Sequence, residues 1–186
     1  ANAEFRQWLA QHHPQVRFLQ DEATEIDGVQ FFGGTMWTDF DSANSRAMRE
    51  ARDRMNDYRM IQIASRSPLE PSDTIAMHRA FVEKLVAWFE TPLPGPRVVI
   101  THHSPTINPN TRFGGSTLMP AFNSLDMLPL IEKYHPQLWV YGHTHECDDH
   151  RIGNTRIISN QRGYPNNNGG FECAGFDENG KIMTVS

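Results

Sequence analysis

The sequence predicts an α/β fold, and three observations carry that prediction. Two short runs rich in β-branched and aromatic side chains, Arg97 to Thr101 and Leu138 to Tyr141, read as buried strands. Leu125, Leu128 and Ile131 mark a helix between them, and a strand, a helix and a second strand in that order imply a parallel pair joined by a crossover. A long apolar stripe, with Ile75, His78, Phe81, Leu85 and Phe89 at helical spacing, marks a core-facing helix from Ser72, its cap, to Glu90. His78 on that stripe reads as a packed side chain.

The remaining elements follow in chain order. Phe5, Trp8, Leu9 and His12 recur at helical spacing, with Asn2 as cap and Pro14 beyond the end, so residues 3 to 13 form an amphipathic helix. Val16 to Leu19 reads as a short strand. Thr24 to Ile26 and Val29 to Thr35 flank Asp27-Gly28, the dipeptide of a two-residue hairpin turn. The pair Gly33-Gly34 at the end of that hairpin lets another group approach the backbone closely. Residues 43 to 60 carry Ala47, Met48, Ala51, Met55 and Tyr58 at helical intervals, and Arg49 with Asp53 and Glu50 with Arg54 fall four apart on a solvated face. Thr91 to Pro96 stops the long helix, and His135-Pro136 stops the next one. Asp149 to Ile152 and Thr155 to Ser159 flank Gly153-Asn154, while Phe171 to Phe176 and Lys181 to Val185 continue as further hairpin strands around a loop at 165 to 170.

With 186 residues, 38% of them hydrophobic and 21% charged, residues 1–186 suit a single domain able to bury its own core. The longest apolar runs are strand-sized, which excludes a membrane span among helices of this sequence. A net charge of -5 argues against a broad basic surface for duplex nucleic acid, so an anionic substrate needs local positive charge. Two cysteines, Cys147 and Cys173, are too few for a disulfide scaffold and lack metal-finger spacing; they read as reduced, and the chain as cytoplasmic.

The chemistry concentrates in two histidine clusters. Thr101-His102-His103-Ser104-Pro105 and Gly142-His143-Thr144-His145 each follow the carboxyl end of a predicted buried strand. Carboxyl ends of neighbouring strands in an open α/β sheet face one crevice, so the clusters are expected to converge there. Neutral imidazoles suit Mn, Fe, Zn or Ni, but three histidines supply no ligand charge, which disfavours a pair of divalent ions without added carboxylates. A mononuclear zinc site on His143, His145 and Cys147 is an alternative reading, because Cys147 lies two positions past His145. A binding or assembly module that keeps the fold without catalysis is another.

At these residues the chain resembles the calcineurin-like metallophosphoesterase superfamily. The resemblance runs from Gly33-Gly34-Thr35-Met36-Trp37-Thr38-Asp39-Phe40 through the two histidine clusters to Arg162-Gly163-Tyr164-Pro165, nearly the whole chain. It implies a sandwich of two mixed β-sheets flanked by helices and a two-metal site at the sheet edge. It further implies a phosphatase-type hydrolase that cleaves a phosphomonoester or phosphodiester, a small molecule or nucleotide, by metal-activated water. His102 and His143 are then expected on one metal and His145 on the other, with manganese the natural ion to test. His103 is expected to face the substrate or buttress a ligand, Arg162 to clamp phosphate or close its own turn, and Asp39 to orient a ligand or cap the following helix. No catalytic acid or base is assigned.

The family's earlier motifs, Asp-x-His, Gly-Asp and Gly-Asn-His, are absent in their places; Asp148-Asp149-His150 comes too late in the chain, and Gly153-Asn154 sits in a turn. The resemblance is therefore to the C-terminal part of an esterase, with on the order of 60 residues expected upstream of Ala1 and the N-terminal strands lacking. Two consequences are expected: at most one weakly held metal or none, and an exposed parallel edge beside 98 to 101 and 138 to 141 able to pair with a second copy.

Overall fold

The computed structural model describes residues 2–63, 66–167, 169–173 and 175–185. Helix α1 (Asn2–His12) opens the chain and buries only Leu9. Strands β1 (Glu22–Ile26) and β2 (Val29–Gly34) form the expected hairpin, with Asp27 and Gly28 both at positive φ, 50° and 79°, as a two-residue turn of that twist requires. A single turn α2 (Phe40–Ala43) leads to α3 (Ser45–Arg54) and α4 (Asn56–Met60), and then comes the long α5 (Pro71–Glu90). Strand β3 (Arg97–Thr101), helix α6 (Met119–Phe122), a 3-10 turn at Leu125–Met127, helix α7 (Leu128–Tyr134), and strands β4 (Leu138–Val140), β5 (Asp148–Ile152) and β6 (Thr155–Ser159) complete the order.

The strands build one mixed sheet in the order β1-β2-β3-β4-β6-β5. The crossover from β3 through α7 to β4 is parallel as expected, with Val99 opposite Trp139. β2 also runs parallel to β3, and β4 to β6, so the two histidine-bearing strands lie in the middle of the sheet. One face carries Phe32, Val99, Trp139 and Ile157 against Phe81, Leu85 and Trp88 of α5 and Ile131 of α7. The opposite face holds Val98, Leu138 and Ile158, partly covered by Met183 and Val185, and leaves Ile100 40% exposed. The fold class is therefore the α/β one, a mixed sheet flanked by helices.

Several expectations are corrected. No parallel edge is open beside 98 to 101 and 138 to 141, because β2 and β6 occupy those positions; the sheet ends instead in antiparallel hairpins. Among the described residues there is one sheet, not two. Among the described residues of 171–176 and of Lys181 to Val185 no strand forms: Glu172 and Cys173 spend their amides on Tyr164 and Arg162 carbonyls inside a local loop. Val16 to Leu19 is not a strand either, since Val16 N–H closes a turn on His13 and the Phe18 carbonyl accepts from Arg6. The single helix expected over 43 to 60 is broken at Asn44, whose side chain caps Arg46 and Ala47, and at extended Met55. The long helix starts at Pro71, one residue before the expected cap, with Asp73 accepting the Glu70 N–H.

The turn α2 is left-handed: Phe40, Asp41, Ser42 and Ala43 have φ of 57°, 52°, 60° and 62°. Such a backbone costs roughly 1–2 kcal/mol per residue, which the burial of Phe40 among Ala47, Tyr58 and Ala121 helps offset. No helix among the described residues is long and apolar enough to cross a membrane.

Candidate functional site

The sheet ladder continues past the strand ends and carries the histidines with it. His102 N–H donates to the Gly34 carbonyl at 3.2 Å and His103 N–H to the Thr35 carbonyl at 3.3 Å. Gly142 N–H donates in turn to the His102 carbonyl at 3.0 Å, so the segments after β2, β3 and β4 are stitched side by side. Trp139 Nε1 donates to Thr101 Oγ1 at 2.9 Å, and Thr101 donates to the His103 carbonyl at 2.7 Å, which fixes the turn that presents the histidines. Gly34 has to be glycine: a Cβ there would stand 2.5 Å from Asp21 Oδ1 and 2.8 Å from the Asp21 amide nitrogen.

Three imidazoles gather at this point. The ring centroids of His103 and His143 are 4.2 Å apart, those of His102 and His143 4.8 Å, and those of His102 and His103 5.2 Å. His143 Nδ1 lies 3.0 Å from His102 Nε2, so one ring donates and the other accepts. His103 is fully buried beneath Trp37 and donates from Nδ1 to the Thr35 carbonyl at 3.2 Å. His143 adopts the left-handed region, φ 70°, and its Nε2 is buried without a hydrogen-bond partner among the described residues. A strained histidine with a buried, orphaned ring nitrogen is costly to the fold.

The electrostatics follow from that crowding. Burial, then repulsion from His102 and His145, pushes His143 down to about 3. Burial also lowers His102, and it drives His103 well below the ordinary imidazole range, with His143 and His102 adding to the effect. At neutral pH these three rings are uncharged, each with one N–H and one lone pair.

His145 is held apart from the cluster. Its φ is 53°, its amide donates to Gln161 Oε1 at 2.7 Å, its ring stands edge-on to Tyr164, and its Nδ1 is 2.6 Å from Glu172 Oε2. Glu172 also accepts from the Tyr164 N–H at 3.0 Å, and that bond, with His145 and Arg112, holds its carboxyl below the usual range. Arg162 points elsewhere: its guanidinium stacks on Phe171, and its carbonyl receives Cys173. Asp39 caps the left-handed turn, accepting from Asp41 and Ser42 at 2.9 Å each, and lines a separate hollow beside His78. His78 is a core side chain as expected, with Nδ1 on the Met36 carbonyl at 3.0 Å and Nε2 on Asp126 at 2.7 Å, leaving no nitrogen for a ligand.

The donors do not fit a divalent ion pair. No group of three or more His, Cys, Asp or Glu side chains among the described residues is placed to hold a metal. The cluster contains no carboxylate, and His145 is engaged by Glu172. The mononuclear zinc set of His143, His145 and Cys147 is not assembled among the described residues either, with His145 Nδ1 on Glu172 and Cys147 Sγ against Cys173 Sγ at 2.8 Å. Burial, then that neighbour, pushes the Cys147 thiol up to about 11.

A cavity of about 320 Å³ adjoins His102, lined by Arg17, Leu19, Gly33, Gly34, Ile100 and Thr101. Sequence reasoning placed the histidines and named Trp37 and Tyr164 only within the resembling segments, without a role, and it missed Glu172, Arg112 and Arg17. Glu172 reaches His145 from 27 positions away, and no local pattern signals such a contact.

No family model matches the chain. It is 25% identical over 177 residues to an uncharacterized protein, L509, of Acanthamoeba polyphaga mimivirus, an alignment covering 88% of this chain and 60% of that protein. It is also similar to the crystal structure of a phosphopantetheinyl hydrolase, PptH, from Mycobacterium tuberculosis, with a TM-score of 0.54 and 17% identity over 82% of this chain and 55% of that one. The crystal structure of TT1561 from Thermus thermophilus gives a TM-score of 0.47 and 13% identity over 83% of this chain and 54% of that one. The chain thus spans 60% of its curated relative and about half of the solved structures. At this distance the likeness to the phosphopantetheinyl hydrolase is one of fold: both chains share the architecture that sets His102, His103 and His143 on neighbouring strand ends here.

Proposed function

We propose that this chain is the histidine-bearing part of a phosphoester hydrolase. The observation that carries the reading is the convergence of His102, His103 and His143 at the carboxyl ends of adjacent parallel strands, with His143 Nε2 buried and unpartnered. The likeness in fold to a phosphopantetheinyl hydrolase supports it.

The residues have definable roles. With its pKa near 3, His143 carries a proton in on the order of one molecule in ten thousand at pH 7, so it is no general acid there. It serves instead through its lone pair or its N–H, and His102, paired with it at 3.0 Å, orients the ring. His103 buttresses both from below. The cavity beside His102 receives the ester: Arg17 at its wall faces the phosphate, and Leu19 and Ile100 accept a small apolar portion of the alcohol. In enzymes of this chemistry, divalent ions polarise a phosphoryl oxygen and generate hydroxide near neutral pH. The described residues lack the carboxylates such a pair needs, so the anionic ligands are proposed to come from outside the cluster.

The test is hydrolysis of p-nitrophenyl phosphate and bis(p-nitrophenyl) phosphate in added Mn, by this chain and by His143→Ala. We expect slow turnover above the free-metal background, falling at least tenfold in the variant. A rate equal to the background in both proteins overturns the hydrolase reading. The lack of a carboxylate at the cluster favours a second reading, a module that binds phosphoesters without cleaving them, and that second result is the one it predicts.

A further inference from the structure

The two cysteines of the chain come from distant segments and meet. Cys147 directly precedes β5, its sulfur beside the Gln161 carbonyl at 3.6 Å and Asn160 Oδ1 at 4.0 Å. Cys173 lies 26 positions on, in the loop after β6, and its thiol donates to Cys147 Sγ at 2.8 Å. A disulfide bond is about 2.05 Å long, so closing it requires the sulfurs to move by less than their own radius. Both cysteines are half-buried and free, and no third cysteine competes for either.

The loop that Cys173 belongs to is held from within, by Glu172 N–H on the Tyr164 carbonyl and Tyr164 N–H on Glu172 Oε2, both at 3.0 Å. Phe171 and Glu172 are exposed, and Cys173 N–H reaches the Arg162 carbonyl only at 3.4 Å. Arg112 touches the Glu172 carbonyl at the same 3.4 Å. Yet this loop delivers Glu172 to His145 Nδ1, and a Cβ on Gly163 would meet Glu172 at 2.9 Å, so the loop lies tightly against the Gly163 turn at that point. Whatever ties Cys173 to Cys147 therefore ties Glu172 to His145.

We propose that Cys147 and Cys173 form a reversible intramolecular disulfide that fastens the 161–173 loop, and with it Glu172, over His145. The oxidant is a small-molecule disulfide of the glutathione class. One protein sulfur attacks a sulfur of that reagent, breaking its S–S bond and releasing one small thiol. The second protein sulfur then attacks the mixed disulfide, forming the Cys147–Cys173 bond and releasing a second small thiol. The protons of the two protein thiols end on the two released thiols, and two electrons pass from protein to reagent. The inference stands on the thiol contact alone and does not depend on the hydrolase reading.

The test equilibrates the chain in mixtures of oxidised and reduced glutathione and reads intact mass, free thiols and melting temperature. We expect a monomer lighter by two hydrogens, no free thiol, and a Tm raised by roughly 5–10 °C, fully reversed by dithiothreitol. Cys173→Ser, a substitution in an exposed loop, should show no loss of hydrogens and no Tm shift. The His145 ring resonances should sharpen on oxidation of the wild-type chain and not in Cys173→Ser. Persistent glutathione adducts on both cysteines, or disulfide-linked dimers without the internal bond, overturn the proposal. Because reduced and oxidised states are the same polypeptide, misfolding of a variant does not decide the result.

Discussion

His143 Nδ1 stands 3.0 Å from His102 Nε2, and the other nitrogen of His143 is buried with no partner among the described residues. Partial desolvation of the ring nitrogens, with repulsion from neighbouring imidazoles, disfavours protonation of both. Acid sensitivity is the direct consequence. In the unfolded chain a histidine protonates near pH 6.5, whereas His143 resists protonation until about pH 3. The unfolded state thus binds more protons across that window, and stability is lost as pH falls from about 6.5 toward 3. At pH 4.5, His143 alone should cost roughly 2.5–3 kcal/mol relative to pH 7.5. Urea unfolding at pH 7.5, 5.5 and 4.5 measures this loss; His143→Gln should flatten the slope.

Metal stoichiometry separates the donor set seen here from that of a complete two-ion centre. After Mn loading and desalting, elemental analysis should find fewer than two ions per chain, with His143→Ala lowering any bound metal further. Two tightly held ions would mean that carboxylates outside the cluster reach it.

Gly34→Ala and Gly28→Ala should both destabilise, for different reasons. At Gly34 the added methyl collides with the Asp21 backbone and carboxylate, which cannot yield without opening the turn before β1, and roughly 2–3 kcal/mol is expected. At Gly28 the space is open but φ is 79°, so the cost is backbone strain of roughly 1 kcal/mol. Thermal melts of the two variants should fall in that order.

His78→Leu removes the ring nitrogens that meet the Met36 carbonyl and Asp126 while keeping the volume of the core. Leaving the buried Met36 carbonyl without its partner, while water serves the exposed Asp126 carboxylate, should cost roughly 1–3 kcal/mol. Asp126→Asn keeps a hydrogen-bond acceptor and should cost about 1 kcal/mol, as read by chemical denaturation.

What the sequence made legible was local. Asp27-Gly28 fixed a hairpin because that turn admits few other dipeptides, and β3 and β4 declared themselves by β-branched runs. The convergence of His102 with His143 followed from one topological rule about strand ends. What the sequence hid was non-local. Nothing in Val29 to Gly34 says that β2 pairs parallel to β3 and fills the edge expected to be open. Phe171 to Phe176 has strand-like composition, yet the amides of Glu172, Cys173 and Phe176 bond within the local loop. Asn44 reads as an ordinary polar position in a helical pattern, although its backbone N–H closes one turn on Phe40 and its side chain caps the start of the next helix. Glu172 was invisible because its role depends on Cys173, Gly163 and Tyr164 folding the loop back onto His145.

The stitching of Gly34, His102 and Gly142 across three strand ends also says when the cluster comes into being. Thr35 and His103 are 68 positions apart, and His102 and His143 are 41 apart. Each closure gives up chain entropy before any contact returns it, so parallel β2–β3 and β3–β4 pairing belongs to the slow, late part of folding. The three imidazoles are consequently absent from any partly collapsed chain and appear together, as a single event, when the central strands register. A pulse-labelling experiment should show the amides of His102, His103 and Gly142 gaining protection in one phase with those of Val99 and Trp139, and later than those of α5.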